Sequence, residues 1–531
     1  MGKRSIWLIF SMVVIGFILV GCASEPDESG AEGNGDGQDQ QEGGDLVIAT
    51  VSDAVALDPA GVNDVPSFDV QYNIFEKLVK HDSDMNLQPS LTKSWETVDD
   101  NTWQFELQEG VTFHDGEPFN AEAVKANIER MLDPEVAAPH SYLLDGVEEV
   151  VAVDEYTVQF KTEYPISGLP SNLTHPVGSM ISPKLIEEDY AAMENGENPG
   201  SVINENPIGT GYFKFDEWNT GQYIRLVKNE DYWDGTANID TVTFKVVSED
   251  LTRIAELQTG DSHISNPLSA SDVEQLEQSE EMFVNQQGSV SLDYLGFNME
   301  QEPFDDKLVR QAISMAINKD EIIDGIANGY GKKAIGPLAP GVADYDEDLT
   351  GLEYDVEQAK ELLAEAGYPD GFSATIWTNE TRERLDIATN VQAQLKAIGI
   401  SIDIEVFEWA AYLEEIGKGN HDMFILGWSN STAEANNGIA PLFHSDNIGP
   451  SGNRTFMQND ELDQLLDEGL TEIDEEERFN KYQRAQEILV EEAPVVYLMH
   501  KDYLMGVHES VNNLEMLPTK MLLLKDVTIE Q

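Results

Sequence analysis

Between His421 and His444 the chain reads HDMFILGWSNSTAEANNGIAPLFH. The stretch is organised around four consecutive apolar residues, Met423-Phe424-Ile425-Leu426, with Gly427 directly after them. The run is too short for a helix and has no polar alternation, so it predicts a strand buried on both faces. Trp428 follows, and Ser429 to Asn437 is polar without a period, which predicts a loop. In open α/β sheets, loops leaving the ends of buried strands carry the binding groups. The stretch is therefore expected to line a ligand cleft between lobes.

The remainder of the chain divides into two textures. At 531 residues it is too long for one core. A strand is predicted at Leu46–Val51 and a short helix near Phe68–Lys80. Two strands flank Asp99-Asp100-Asn101, with Trp103, Phe105 and Leu107 alternating against Gln104 and Glu106. A helix is predicted over Ala121–Leu132, a hairpin turning at Asp154-Glu155, and strands at Tyr212–Phe215, Tyr223–Val227 and Val242–Val247. From about Pro303 helices alternate with strands. Leu308–Ile317 is amphipathic, and Asp355 is placed to cap a helix that ends at Gly367. Arg384–Ala397, Glu461–Glu468 and Glu475–Glu492 are predicted helices, with strands at Ile400–Phe407 and Val495–Met499. The layout is β-rich lobes first, then an α/β lobe, then a strand placed to return to the first lobe.

The N-terminus sets the address. Lys3 and Arg4 precede an apolar run, Ile6–Val20, shorter than the ~20 residues a spanning helix needs. It ends in Leu19-Val20-Gly21-Cys22, similar to the lipobox of bacterial lipoproteins, which implies cleavage before Cys22 and a diacylglycerol on its thiol. Cys22 is the single cysteine, so an internal disulfide is excluded. Residues 23–44 are rich in Gly, Asp, Glu and Gln and predict a flexible tether.

With 31 basic and 100 acidic residues the net charge is −69, which argues against nucleic acid as a partner. The acids are scattered through every segment, as on a solvated acidic surface. Salt screens such a surface, which points to a salty or alkaline habitat. No HExxH, GxSxG, P-loop or GxGxxG occurs, and no two histidines are three to five apart. No enzyme activity, metal or cofactor is therefore expected. His114-Asp115-Gly116 reads as a turn. Trp218, Tyr232 and Trp233 read as core packing. Basic residues are scarce, which draws attention to Arg382 and Arg384, between the strand ending at Trp377 and the next helix. Either could clamp a carboxylate.

Five motifs in order carry a resemblance across nearly all of the mature chain. They are Leu91–Leu132, Asn206–Gly211 with Asn229–Trp233, Phe297-Asn298 through Ala316-Ile317, Ala359–Pro369, and Ala493-Pro494. Together they resemble the extracellular solute-binding proteins of ABC importers for peptides, nickel and related solutes. The resemblance implies a type II periplasmic-binding-protein-like α/β fold, bilobal with an extra domain, hinged around a ligand cleft. It divides the chain into signal peptide 1–21, linker 22–44, domain I from 45–78, 201–297 and 495–531, domain II 79–200 and domain III 298–494. Peptide-binding members hold the ligand's α-amino group with an Asp three residues after the Trp; here Ser431 stands there. Ala433-Glu434-Ala435-Asn436 also departs from the family's acidic loop. The loop is instead similar to the glutathione and dipeptide subgroup, with its Leu442-Phe443-His444-Ser445.

The expected function is capture of a small peptide, by a monomer lipid-anchored at Cys22 on the outer face of the cell membrane, and delivery to an ABC permease. Expected ligand-site residues are Asp64, Val65 and Ser67 from domain I, with Trp377 and Trp428 as apolar walls. Arg382 or Arg384 would hold the carboxylate, and Glu434 with Ser431 the amino group, beside Asn436. A nickel chelate or oligosaccharide on the same scaffold is the alternative solute; a surface hydrolase or chaperone is the alternative class.

Overall fold

The computed structural model describes residues 43–62, 64–450 and 452–530; the signal-like run, Cys22 and residues 23–42 of the tether lie outside the described residues. Among the described residues no helix is long and apolar enough to cross a membrane.

A twelve-stranded mixed sheet runs through the molecule. From one edge its order is Ser401–Phe407, Ser373–Asn379, Met423–Ser429, Ser291–Phe297, Val495–His508, Ile264–Asn266, Asp45–Thr50, Thr241–Val246, Tyr223–Lys228 and Phe213–Asn219. Met282–Gly288 and Gly331–Lys333 also pair with Val495–His508. The last strand, expected to stop at Met499, continues to His508. Its first half pairs with Ser291–Phe297 and its second with Met282–Gly288, so one strand belongs to both halves of the sheet.

Met423–Ser429 is a strand as expected, with Met423 to Leu426 all buried. Even-numbered side chains of this strand join a core with Trp377, Tyr412 and Phe443; odd-numbered ones join a core with Phe297, Ile313 and Val391. Two covered faces explain why its sequence shows no alternation.

A separate four-stranded antiparallel sheet, Thr92–Asp99, Thr102–Leu107, Thr157–Thr162 and Val147–Ala152, has its own core with the Ala121–Leu132 helix. Arg130 on that helix is buried and binds Asp58 through two hydrogen bonds, at 3.1 and 2.7 Å, and Asp189 at 3.0 Å. The ion triad fastens the helix to the segment that follows the first strand.

Two elements depart from expectation. The helix expected near Phe68–Lys80 spans Val65–Ile74. Asp64 caps it, accepting from Ser67 N at 3.0 Å, and the Ile74 carbonyl accepts from Gly211 N at 2.9 Å instead of from a further turn. The polar loop expected over Ser429–Asn437 shrinks to five residues. The strand runs through Ser429 and a helix, Ala435–Phe443, begins after Ala433, which turns the chain at φ 54°. His114-Asp115-Gly116 is a turn, with Gly116 at φ +88° donating to Phe113 O at 2.9 Å.

Candidate functional site

Parallel strands end together in both halves of the sheet. Thr50, Val246 and Asn266 close three of them and line a shallow depression with Val65, Asp69 and Lys520. In the other half, Ser373–Asn379 lies parallel to Ser401–Phe407 and to Met423–Ser429. Crevices outside the carboxyl ends of parallel strands are where open α/β sheets bind ligands.

A cavity of about 300 Å³ opens at this second set of ends, lined by Asp293, Asn379, Glu383, Arg384, Trp409 and Lys501. Arg384 sits in the first turn of the Arg382–Leu395 helix. Its Nη1 donates to Asn379 Oδ1 at 3.2 Å, and its guanidinium lies 5.3 Å from the Trp409 ring centre. Among the described residues no carboxylate is within ion-pair distance of it. Lys501 Nζ lies 3.5 Å from Asp293 Oδ2, an ion pair without a hydrogen bond. The Asp293 charge holds the Lys501 ammonium well above its usual range. Across the crevice, burial pushes Lys520 down, Asp69 opposes that shift, and the charge of Lys501 adds to it.

A second cavity, about 570 Å³, lies beside Trp428 and is lined also by Tyr142, Asp145, Tyr164, Asn172 and Asn436. Trp428 donates its indole N–H to Asn437 O at 2.9 Å. That carbonyl is available because Pro441, four residues on within the same helix, has no N–H to give it. The proline thus creates the acceptor that orients the tryptophan.

The end of one strand faces the two cavities from opposite sides. Gly427 stands opposite Asp293 of the first cavity, and a Cβ on Gly427 would lie 2.5 Å from Asp293 Oδ1; Trp428 lines the second. Met423–Ser429 pairs with Ser291–Phe297 along its whole length but with Ser373–Asn379 only at Met423 and Phe424. The backbone edge at 426–429 therefore has no strand neighbour on that side among the described residues. Such an edge accepts an extended peptide backbone.

A match to the model for bacterial extracellular solute-binding proteins, family 5, covers residues 86–450. The chain belongs to that family. This family 5 solute-binding protein is 33% identical to the glutathione-binding protein GsiB of Escherichia coli (strain K12) over 464 residues, 86% of this chain and 88% of that protein. It matches the periplasmic binding protein DppA from Helicobacter pylori in complex with the peptide STSA, with TM-score 0.78 and 31% identity, over 92% of this chain and 99% of that one. It also matches the oligopeptide-binding protein AppA from Bacillus subtilis in complex with a nonapeptide, with TM-score 0.76 and 28% identity, over 93% and 100%. The family's bilobal type II fold and its binding, non-enzymatic character hold for this solute-binding protein.

Within this solute-binding protein the residues singled out from sequence occupy different places. Arg384 lines the first cavity, whereas Arg382 is exposed and lies 3.8 Å from Asp386. Trp428 and Asn436 line the second cavity. Trp377 is buried against Phe407, its ring centre 4.7 Å away, and its indole N–H has no partner. Val65 is exposed at the depression, while Asp64 and Ser67 bond each other through Oδ2 and Oγ at 2.9 Å, and Ser67 is buried. Ser431 is exposed. Glu434 lines neither cavity. Its carboxyl is pushed up by burial, hydrogen-bonds Ser171, and packs so closely on Gly168 that a Cβ there would lie 3.1 Å from Oε2. Sequence reading missed Asp293, Asn379, Trp409 and Lys501, which are far apart in the chain. The scarcity of cations could have pointed to Lys501.

Proposed function

We propose that this chain captures small peptides, of dipeptide, oligopeptide or glutathione-like kind, and delivers them to an ABC permease. The observation that carries the reading is the strand edge at 426–429, flanked by a cavity holding the Arg384 guanidinium, which no described carboxylate pairs, and by the Trp428 cavity. A peptide backbone would extend the sheet there, its carboxylate on Arg384, with Lys501 adding positive charge. Trp428, Trp409 and Val65 would wall the cleft, and Asn436 would add an amide. The ligands bound by GsiB, DppA and AppA support the class of solute.

The domain scheme follows the same reading. Domain I takes 45–78, 201–297 and 495–531, domain II 79–200 and domain III 298–494. Domains I and III close on the ligand about the segments that cross between them. Cys22 carries the lipid anchor on the outer face of the membrane, and the protein works as a monomer in a salty or alkaline setting.

Calorimetry with a panel of dipeptides, longer peptides and glutathione tests the ligand. Saturable binding of at least one peptide is expected. Binding of a nickel chelate or an oligosaccharide with no peptide binding at any salt contradicts the ligand class, and turnover of peptide contradicts the binding-protein role.

A further inference from the structure

Asp145 follows the short helical turn Ser141–Leu144 and lines the cavity beside Trp428. Among the described residues lining that cavity it alone carries charge. Its side chain makes no hydrogen bond or ion pair with another described residue, and partial burial raises its carboxyl above the usual range. Tyr142, Tyr164 and Trp428 share the lining. A carboxylate among aromatic side chains, with no described cation to neutralise it, is the chemistry that recognises an ammonium or guanidinium group. Ser431 is exposed, and Glu434 is engaged with Ser171 outside the cavity. Asp145 is thus the acid offered to a ligand on this side of the strand edge, while Arg384 and Lys501 offer positive charge on the other.

We infer that Asp145 binds the cationic end of the ligand, an α-ammonium or the head of a Lys or Arg side chain, and so fixes the direction in which a peptide lies. This deepens the peptide-binding reading and rests on it. Calorimetry compares the wild type with Asp145→Asn, which keeps the shape of a side chain at an exposed position. The probes are a neutral dipeptide, its N-acetyl form, and an N-acetyl dipeptide ending in lysine. The substitution is expected to weaken the free dipeptide about tenfold and to leave its N-acetyl form unchanged. If Asp145→Asn instead weakens only the lysine peptide, the side-chain head is the group bound. The wild-type affinity for the charged probe should fall more steeply with added salt than the variant's. Equal affinity of wild type and variant for every probe overturns the inference and leaves the peptide reading standing. Failure of the wild type to bind any peptide removes that reading and the inference with it.

Discussion

Trp428 Nε1 lies 2.9 Å from the carbonyl oxygen of Asn437, the acceptor that Pro441 cannot use. One proline inside a helix and one indole at a strand end therefore hold each other's geometry. Trp428→Phe removes the donor and should lower stability by about 1 kcal/mol in denaturant unfolding. Pro441→Ala restores an N–H for the same carbonyl, so in that background Trp428→Phe should be less damaging. A double-mutant cycle reads the difference, and full additivity would show that the two residues do not share this acceptor.

The two arginines near the end of Ser373–Asn379 separate cleanly. Arg384 lines the cavity and has no carboxylate partner among the described residues, while Arg382 is exposed and paired with Asp386. Arg384→Ala should weaken peptide binding about tenfold, near 1.4 kcal/mol, and Arg382→Ala should leave affinity at the wild-type value. Isothermal titration of both variants checks this.

Arg130 is buried among Asp58 and Asp189, and neither acid has another described cation. Arg130→Ala strands two buried charges and should lower stability by about 3–5 kcal/mol. Chemical denaturation measures it; a loss under 1 kcal/mol would mean that the triad does not hold the helix to the first-strand segment.

Asp69 gives a pH dependence of definite sign. Burial pushes its carboxyl up to about 7, with Lys520 opposing and Asp64 adding to the shift. A group raised in the folded state contributes stability that is complete below the ordinary carboxylate range and is lost as pH rises through about 7. Asp69→Asn keeps the shape without the titration. Its thermal midpoint relative to wild type should therefore be higher at about pH 8 than at about pH 5. A difference that does not change with pH would place the Asp69 titration elsewhere.

Much of the fold is written locally in the sequence. Asp355 caps its helix through Glu357 N and Gln358 N, and Gly367 follows at φ +94°, because caps and left-handed turns depend on a few neighbouring residues. The buried strand at 423–426 is legible because both its faces are covered. The extension of the last strand to His508 is not, since its partners, Met282–Gly288, lie over 200 positions away. The site follows the same division. Arg384 and Trp428 stand out by scarcity and position, but Asp293, Trp409, Lys501 and Asp145 meet them only through tertiary pairing. Glu434 illustrates the limit from the other side. Its place beside Trp428 in sequence suggests the cleft, yet the turn at Ala433 carries its carboxyl against Gly168 and Ser171.

A crystal structure of the protein grown with a dipeptide that binds in calorimetry would show whether the strand edge at 426–429 is the peptide site. The peptide should lie extended along the backbone at 426–429, its carboxylate within hydrogen-bond distance of Arg384 and its other end in the cavity beside Trp428. A peptide bound away from that strand edge, with Arg384 still bonded only to Asn379, would contradict it.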